Sequence, residues 1–196
     1  MLKKLLIVLL AVLAAAAGFY YFYWIRTPAY AAGEIQQAVE RHDFQLFRER
    51  VDLEKVYGYA IDDLSDEAQG SDKREHRIAA GLMKTLKNPL IDEMIRQTDI
   101  AFQKKGEKDN SPLAAVTRTM KAYVGSAALS MTDIFEVKEE NGKAIASVRL
   151  HDKDLNKDFI WKVEMEKDVN GRWTATRVVN LKDYLAARKE AILAGK

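Results

Sequence analysis

Residues 131–181 read MTDIFEVKEENGKAIASVRLHDKDLNKDFIWKVEMEKDVNGRWTATRVVNL, and their period of two decides the fold. Phe159, Trp161, Val163 and Met165 alternate with Ile160, Lys162, Glu164 and Glu166. That alternation is the pattern of a strand buried on one face. Ile134–Glu139 and Ala144–Leu150 flank Asn141-Gly142, the pair best suited to the positive φ angles of a tight hairpin turn. A second such pair, Asn170-Gly171, turns the chain into a strand over Arg172–Val179. Four strands in succession predict an antiparallel meander, and Lys182–Leu193 reads as a closing helix.

Upstream, from Thr27-Pro28 to about Ser130, the apolar period is helical. Asp43 and Asp52 each stand where a side-chain oxygen can cap a new helix. Ser65–Glu75 reads as a polar loop, and Ile78, Leu82, Met83 and Leu86 resume the apolar stripe up to Asn88-Pro89. Leu90, Ile91, Met94 and Ile95 open another helix that ends near Gly106. Glu107–Pro112 reads as a loop, and Val116, Met120, Tyr123, Val124 and Ala127 as a further amphipathic helix. Helices first and meander second predict an α+β domain over residues 28–196, with the helices packed on the sheet.

The remaining segment has different chemistry. Leu5–Ile25 holds 21 residues without a charge. As a helix it would run about 30 Å, the thickness of a bilayer's hydrocarbon core. Tyr20, Tyr21, Tyr23 and Trp24 close its far end, where rings with an apolar body and a polar edge favour the headgroup boundary. Lys3 and Lys4 mark the near end as cytoplasmic. The chain is therefore expected to be a single-pass protein of the cytoplasmic membrane with its C-terminal body on the periplasmic side. A cleaved secretory signal is the competing reading, since Ala15-Ala16-Ala17 and Ala29-Tyr30-Ala31 both fit a small-x-small cut. The aromatic cluster extends the apolar run to spanning length and favours the anchor.

Composition excludes several functions. The net charge of +2 becomes −1 for residues 27–196, because 28 basic and 29 acidic residues remain once Lys3, Lys4 and Arg26 are set aside. A near-neutral body lacks the basic surplus that steers proteins onto nucleic acid. With no cysteine there is no disulfide, thiol nucleophile or lipid-modified cysteine. His42, His76 and His151 are isolated, without ligands at metal spacing. There is no glycine-rich phosphate loop and no nucleophile elbow. Asp62-Asp63 and Asp66-Glu67 read as solvated acids, and His151–Asp158 as a charged strand connection. No cofactor, metal or catalytic residue is called for.

One apolar face stands as the candidate site. Phe159, Trp161 and Val163 on one strand, with Trp173 on the next, either close a core or line a cleft for an acyl chain or other apolar ligand. Arg177, in register with Trp173 and Val179, points the same way, either to an anionic headgroup or to water at the strand end.

The stretch PAYAAGEIQQAVERHDFQLFRERVDLEKV, residues 28–56, resembles the opening of an uncharacterised bacterial family known only as a domain of unknown function. The matching positions are Tyr30, Ile35, Ala38, Val39, Asp43, Phe47, Val51, Asp52 and Leu53. Asn88-Pro89-Leu90-Ile91 and the turn from Asn170 to Trp173 are similar too; Lys182 stands where the family pattern has a proline. The resemblance implies a hydrophobic N-terminal segment and supplies no catalytic residue. At fold level the arrangement is similar to the cone-shaped nuclear-transport-factor-like and cystatin-like folds. Together these readings describe a non-enzymatic, membrane-anchored accessory or binding domain with an envelope protein or a lipid as partner. A lipid-binding cleft and a small pocket enzyme of the cone fold are the alternatives.

Overall fold

The computed structural model describes residues 2–70, 72–103 and 129–194. Their elements run α1 (Leu2–Trp24), α2 (Pro28–Arg41), α3 (Phe44–Arg50), α4 (Leu53–Gln69), α5 (Arg74–Thr85), α6 (Lys87–Phe102), β1 (Leu129–Glu140), β2 (Lys143–Asp152), β3 (Lys157–Lys167), β4 (Trp173–Val178) and α7 (Leu181–Ala194). The predicted loop at Glu107–Pro112 and the helix carrying Val116 to Ala127 lie outside the described residues.

Caps set the helix starts. Thr27 accepts the Tyr30 N–H ahead of Pro28, whose ring presets the first helical φ. Asp43 and Asp52 accept the N–H groups of Leu46 and Lys55 at 3.0 and 3.1 Å, as predicted. His42 ends α2 with a left-handed φ of 58°. The Asp52 N–H donates to the Ala175 carbonyl at 2.9 Å, so the α3–α4 link is pinned to the edge of β4.

The sheet is the predicted meander, ordered β1-β2-β3-β4 and antiparallel throughout. Asn141 and Gly142 turn β1 into β2 at φ 52° and 77°, both positive as a two-residue turn of this hand requires. Opposed pairs Ala144–Met165, Ala146–Val163, Val148–Trp161 and Leu150–Phe159 share one face. Against it two cores form. The first joins Ala31, Ala32, Val51 and Leu53 to Ala144, Met165, Trp173 and Ala175. The second joins Ile61, Leu64 and Leu90 to Phe159, Leu181, Tyr184 and Leu185.

Two boundaries differ from the sequence reading. α4 runs to Gln69 and α5 starts at Arg74, so Ser65–Gln69 and Arg74–Glu75 of the expected polar loop are helical. Leu64 and Ser65 are buried, and the packing of that last apolar turn overrides the polar composition around it. α6 starts at Lys87 rather than after Asn88-Pro89, with Pro89 in its first turn, where a missing N–H costs nothing. Apart from the sheet and its helices, α1 holds a 19-residue stretch, Leu6–Trp24, that is long and apolar enough to cross a membrane and has none of its span buried.

Burial pushes the Tyr184 phenol up to about 12, with smaller opposed contributions from Arg188 (lowering) and Asp152 (raising). Because the folded value exceeds the ordinary 10.0, the neutral phenol's contribution is fully present below pH 10 and is lost as pH rises toward 12. Urea midpoints measured at pH 9 and pH 11 are expected to fall over that interval, and Tyr184→Phe to flatten the fall.

Candidate functional site

Phe159, Trp161, Val163 and Trp173, four of the predicted cleft residues, share one face of the sheet. Trp173 and Phe159 are buried, while Val163 and Trp161 are half-buried. Trp173 and Val163 pack in the first core, Phe159 and Trp161 in the second. The Phe159 and Trp161 rings meet Tyr184 edge-on at 5.2 and 5.5 Å.

Arg177 departs from its expected register. Met165 opposes Ala175 but Glu164 opposes Arg177, so Thr176 is an inserted bulge residue. The insertion puts Val178, not Val179, opposite Val163, and moves Arg177 off the apolar face. Arg177 pairs with Asp63 of α4 at 3.1 Å, and its guanidinium lies 4.9 Å from the Tyr59 ring centre. Asp63, read as a solvated acid, is thus a partner in an ion pair. Asp62 and Asp66 also hold partners, Lys87 at 2.6 Å and Lys84 at 3.0 Å. The strand connection at His151–Asp158 is a closed turn: Asp152 accepts the N–H groups of Asp154 and Leu155 and pairs with Arg188 of α7.

A cavity of about 670 Å³ sits between α3, the start of α4, α6 and the β3–β4 turn. Phe44, Val51, Leu53 and Ile95 give it apolar walls, and Arg48, Glu49, Glu54 and Arg172 give it charge. Each part has a local cause. Asp43 sets the start of α3, whose seven residues include none fully buried, so Phe44 and Arg48 remain available to the cavity. The Arg48 guanidinium lies 5.8 Å from the centre of the Phe44 ring. On the opposite wall, Asp168 accepts the N–H groups of Asn170 and Arg172 at 2.8 Å each and the Arg172 Nε at 3.0 Å. Burial tends to raise the Asp168 carboxyl, but the Arg172 backbone and side chain and the Asn170 N–H outweigh it and hold it below the usual range. The turn so fixed carries Val169 fully into solvent. Among the described residues no group of three or more His, Asp or Glu is placed to hold a metal ion.

Phe159, Trp161, Val163, Trp173 and Arg177 are all absent from this cavity's walls. Its residues come from 44–54, 95 and 168–174, which the pinning of Asp52 to Ala175 and the first core hold together. The local signals in the sequence were the capping aspartates and the Asn170-Gly171 turn.

Residues 12–101 match the model of a family described as a protein of unknown function (DUF2939). The match takes in the later part of α1 and α2 through nearly all of α6, and stops before the sheet. It contains the residues 28–56 and 88–91 on which the resemblance rests; the Asn170–Trp173 turn lies beyond it. No curated protein and no solved structure matches the chain. The chain thus combines an N-terminal apolar helix, a helical stretch similar to a family of unknown function, and a four-stranded antiparallel sheet.

Proposed function

We propose that this chain is a non-enzymatic accessory domain of the bacterial cell envelope, held at the cytoplasmic membrane by α1 with its body on the periplasmic side, and that it binds a segment of a partner protein in the α3–α4 cavity. The observation that carries the proposal is where the cavity sits. It opens on α3, one short link beyond α2, and α2 follows the apolar α1 after only Ile25, Arg26 and Thr27. A partner segment held there would stay next to the bilayer. The walls mix a ring, aliphatic side chains and charges of both signs, which suits a polypeptide better than a bare acyl chain. Asp52 and Asp168 are committed to a helix cap and a turn, which supports a binding role over acid–base work.

Photo-crosslinking residues placed at Gln45 and Glu49 in intact cells test the binding. A discrete partner adduct is expected, with yield reduced about tenfold by Arg48→Glu through loss of a charge-assisted hydrogen bond. The urea midpoint is expected to be unchanged in that variant, because Arg48 is exposed. A crosslinker at Lys153, on the β2–β3 turn, serves as the control. An absence of adducts at Gln45 and Glu49, or adducts unaffected by Arg48→Glu, sinks the proposal. The chain has no cysteine, so Lys153→Cys reports topology directly by reacting, or not, with an impermeant maleimide in cells stripped of their outer layers.

A further inference from the structure

The β3–β4 turn is a fixed projection at the rim of the α3–α4 cavity. Asp168 and Arg172 belong to the cavity wall, and between them Val169 is fully exposed. The turn has little freedom of its own. The Asp168 N–H donates to the Arg172 carbonyl at 2.8 Å, the Gly171 N–H donates to the Asp168 carbonyl at 2.9 Å, and Gly171 supplies a positive φ of 73°. An aliphatic side chain held out on so fixed a turn loses little conformational entropy when it is covered. Beside it the cavity offers Phe44, Val51, Leu53 and Ile95 as apolar walls. A knob and an apolar hollow thus stand side by side on one surface, which makes that surface complementary to itself under a two-fold rotation. The charges fit the same pairing. Among the described residues Asp52 pairs with Lys55 and Asp168 with Arg172, while Arg48, Glu49 and Glu54 at the cavity hold no ion pair. Arg48 against Glu49 and Glu54 gives the cavity a surplus of −1, and Lys167 with Arg172 against Asp168 gives the turn +1.

We propose that the segment bound in the α3–α4 cavity is the β3–β4 turn of a second copy of this chain, each copy seating Val169 in the other's cavity with Lys167 facing Glu49 and Glu54. The inference rests on the reading of that cavity as a binding site and names its occupant. Opposite surpluses on the turn and the cavity attract, and the same acids oppose an anionic headgroup. Because knob and hollow lie on one face, a single two-fold operation fills both cavities and closes the assembly at two copies. With α1 as an anchor, both copies share one bilayer at high effective concentration, so a small interface suffices.

The absence of cysteine allows disulfide trapping between two differently tagged full-length copies expressed together, one carrying Gln45→Cys and the other Val169→Cys. Both positions are exposed, so neither cysteine disturbs a core. A disulfide-linked species bearing both tags is expected, and none when Lys153→Cys on the β2–β3 turn replaces Val169→Cys. Adding Glu49→Lys to the Gln45→Cys copy should lower the yield about fivefold, the weight of one exposed ion pair. Adding Lys167→Glu to the Val169→Cys copy should then restore it. A yield that ignores Glu49→Lys, or that the charge swap fails to restore, overturns the proposed pairing, as does equal trapping at residue 153. No trapping between copies, beside photo-adducts from Gln45 and Glu49 to a different protein, overturns the second copy and leaves the cavity reading standing. Absence of both trapping and adducts overturns the two together.

Discussion

Replacing Asp152 by alanine is expected to lower the stability of the body by about 3–5 kcal/mol, as breaking one side of a buried ion pair does. Asp152 is fully buried at the end of β2. One carboxylate oxygen accepts the N–H groups of Asp154 and Leu155 at 3.0 and 3.2 Å, and the other accepts the Arg188 Nε at 2.9 Å. The residue therefore closes the β2–β3 turn and ties α7 to the sheet at once. Its loss leaves two N–H groups without their acceptor and the Arg188 guanidinium, itself buried, without a counter-charge. Asp152→Asn retains an acceptor for the turn but not the charge, and is expected to fall between wild type and Asp152→Ala. Combining Asp152→Asn with Arg188→Met removes the orphaned charge and should recover part of the loss, because the cost of breaking such a pair lies mostly in the partner left behind. Urea unfolding of the full chain in detergent, followed by tryptophan emission, measures all three. An Asp152→Ala midpoint close to wild type would show that the pair is superfluous.

The legibility of this fold varied with the range of the cause. Strand order and turns were readable because Asn141-Gly142, Asn170-Gly171 and the alternation from Phe159 to Met165 are local signals. The helix starts at Asp43 and Asp52 were readable for the same reason. Arg177 was misplaced because one bulge residue, Thr176, reverses the faces of everything after it, and nothing in TATRVV announces an insertion. Asp62 and Asp66 are exposed, as their composition suggested, but Asp63 is mostly buried against Arg177, a partner 114 residues away that no local signal announces. The cavity was illegible because Phe44, Ile95 and Arg172 are far apart in sequence and meet only through tertiary packing.

The alternative of an apolar cleft under the sheet stands or falls on its two tryptophans, which are expected to answer in opposite ways. Trp173 is 2% exposed and packs with Met165, Ala175, Ala31, Ala32 and Leu53, with the Lys167 ammonium 4.9 Å from its ring centre. Trp173→Ala would leave a cavity the surrounding backbone cannot close, at a cost of about 3–5 kcal/mol. Trp161 is half-buried against Tyr184, and its buried indole N–H has no hydrogen-bond partner among the described residues. An unmet buried donor costs about 1–3 kcal/mol, so Trp161→Phe removes that penalty while giving up part of a ring, and a net change below about 1 kcal/mol follows. A cleft predicts the reverse, since side chains lining open space contribute little to folding: Trp173→Ala would leave the urea midpoint near wild type and alter only the uptake of an apolar probe. A large loss at Trp173 beside near-neutrality at Trp161→Phe assigns the interface to packing, and directs the test of binding to the α3–α4 cavity.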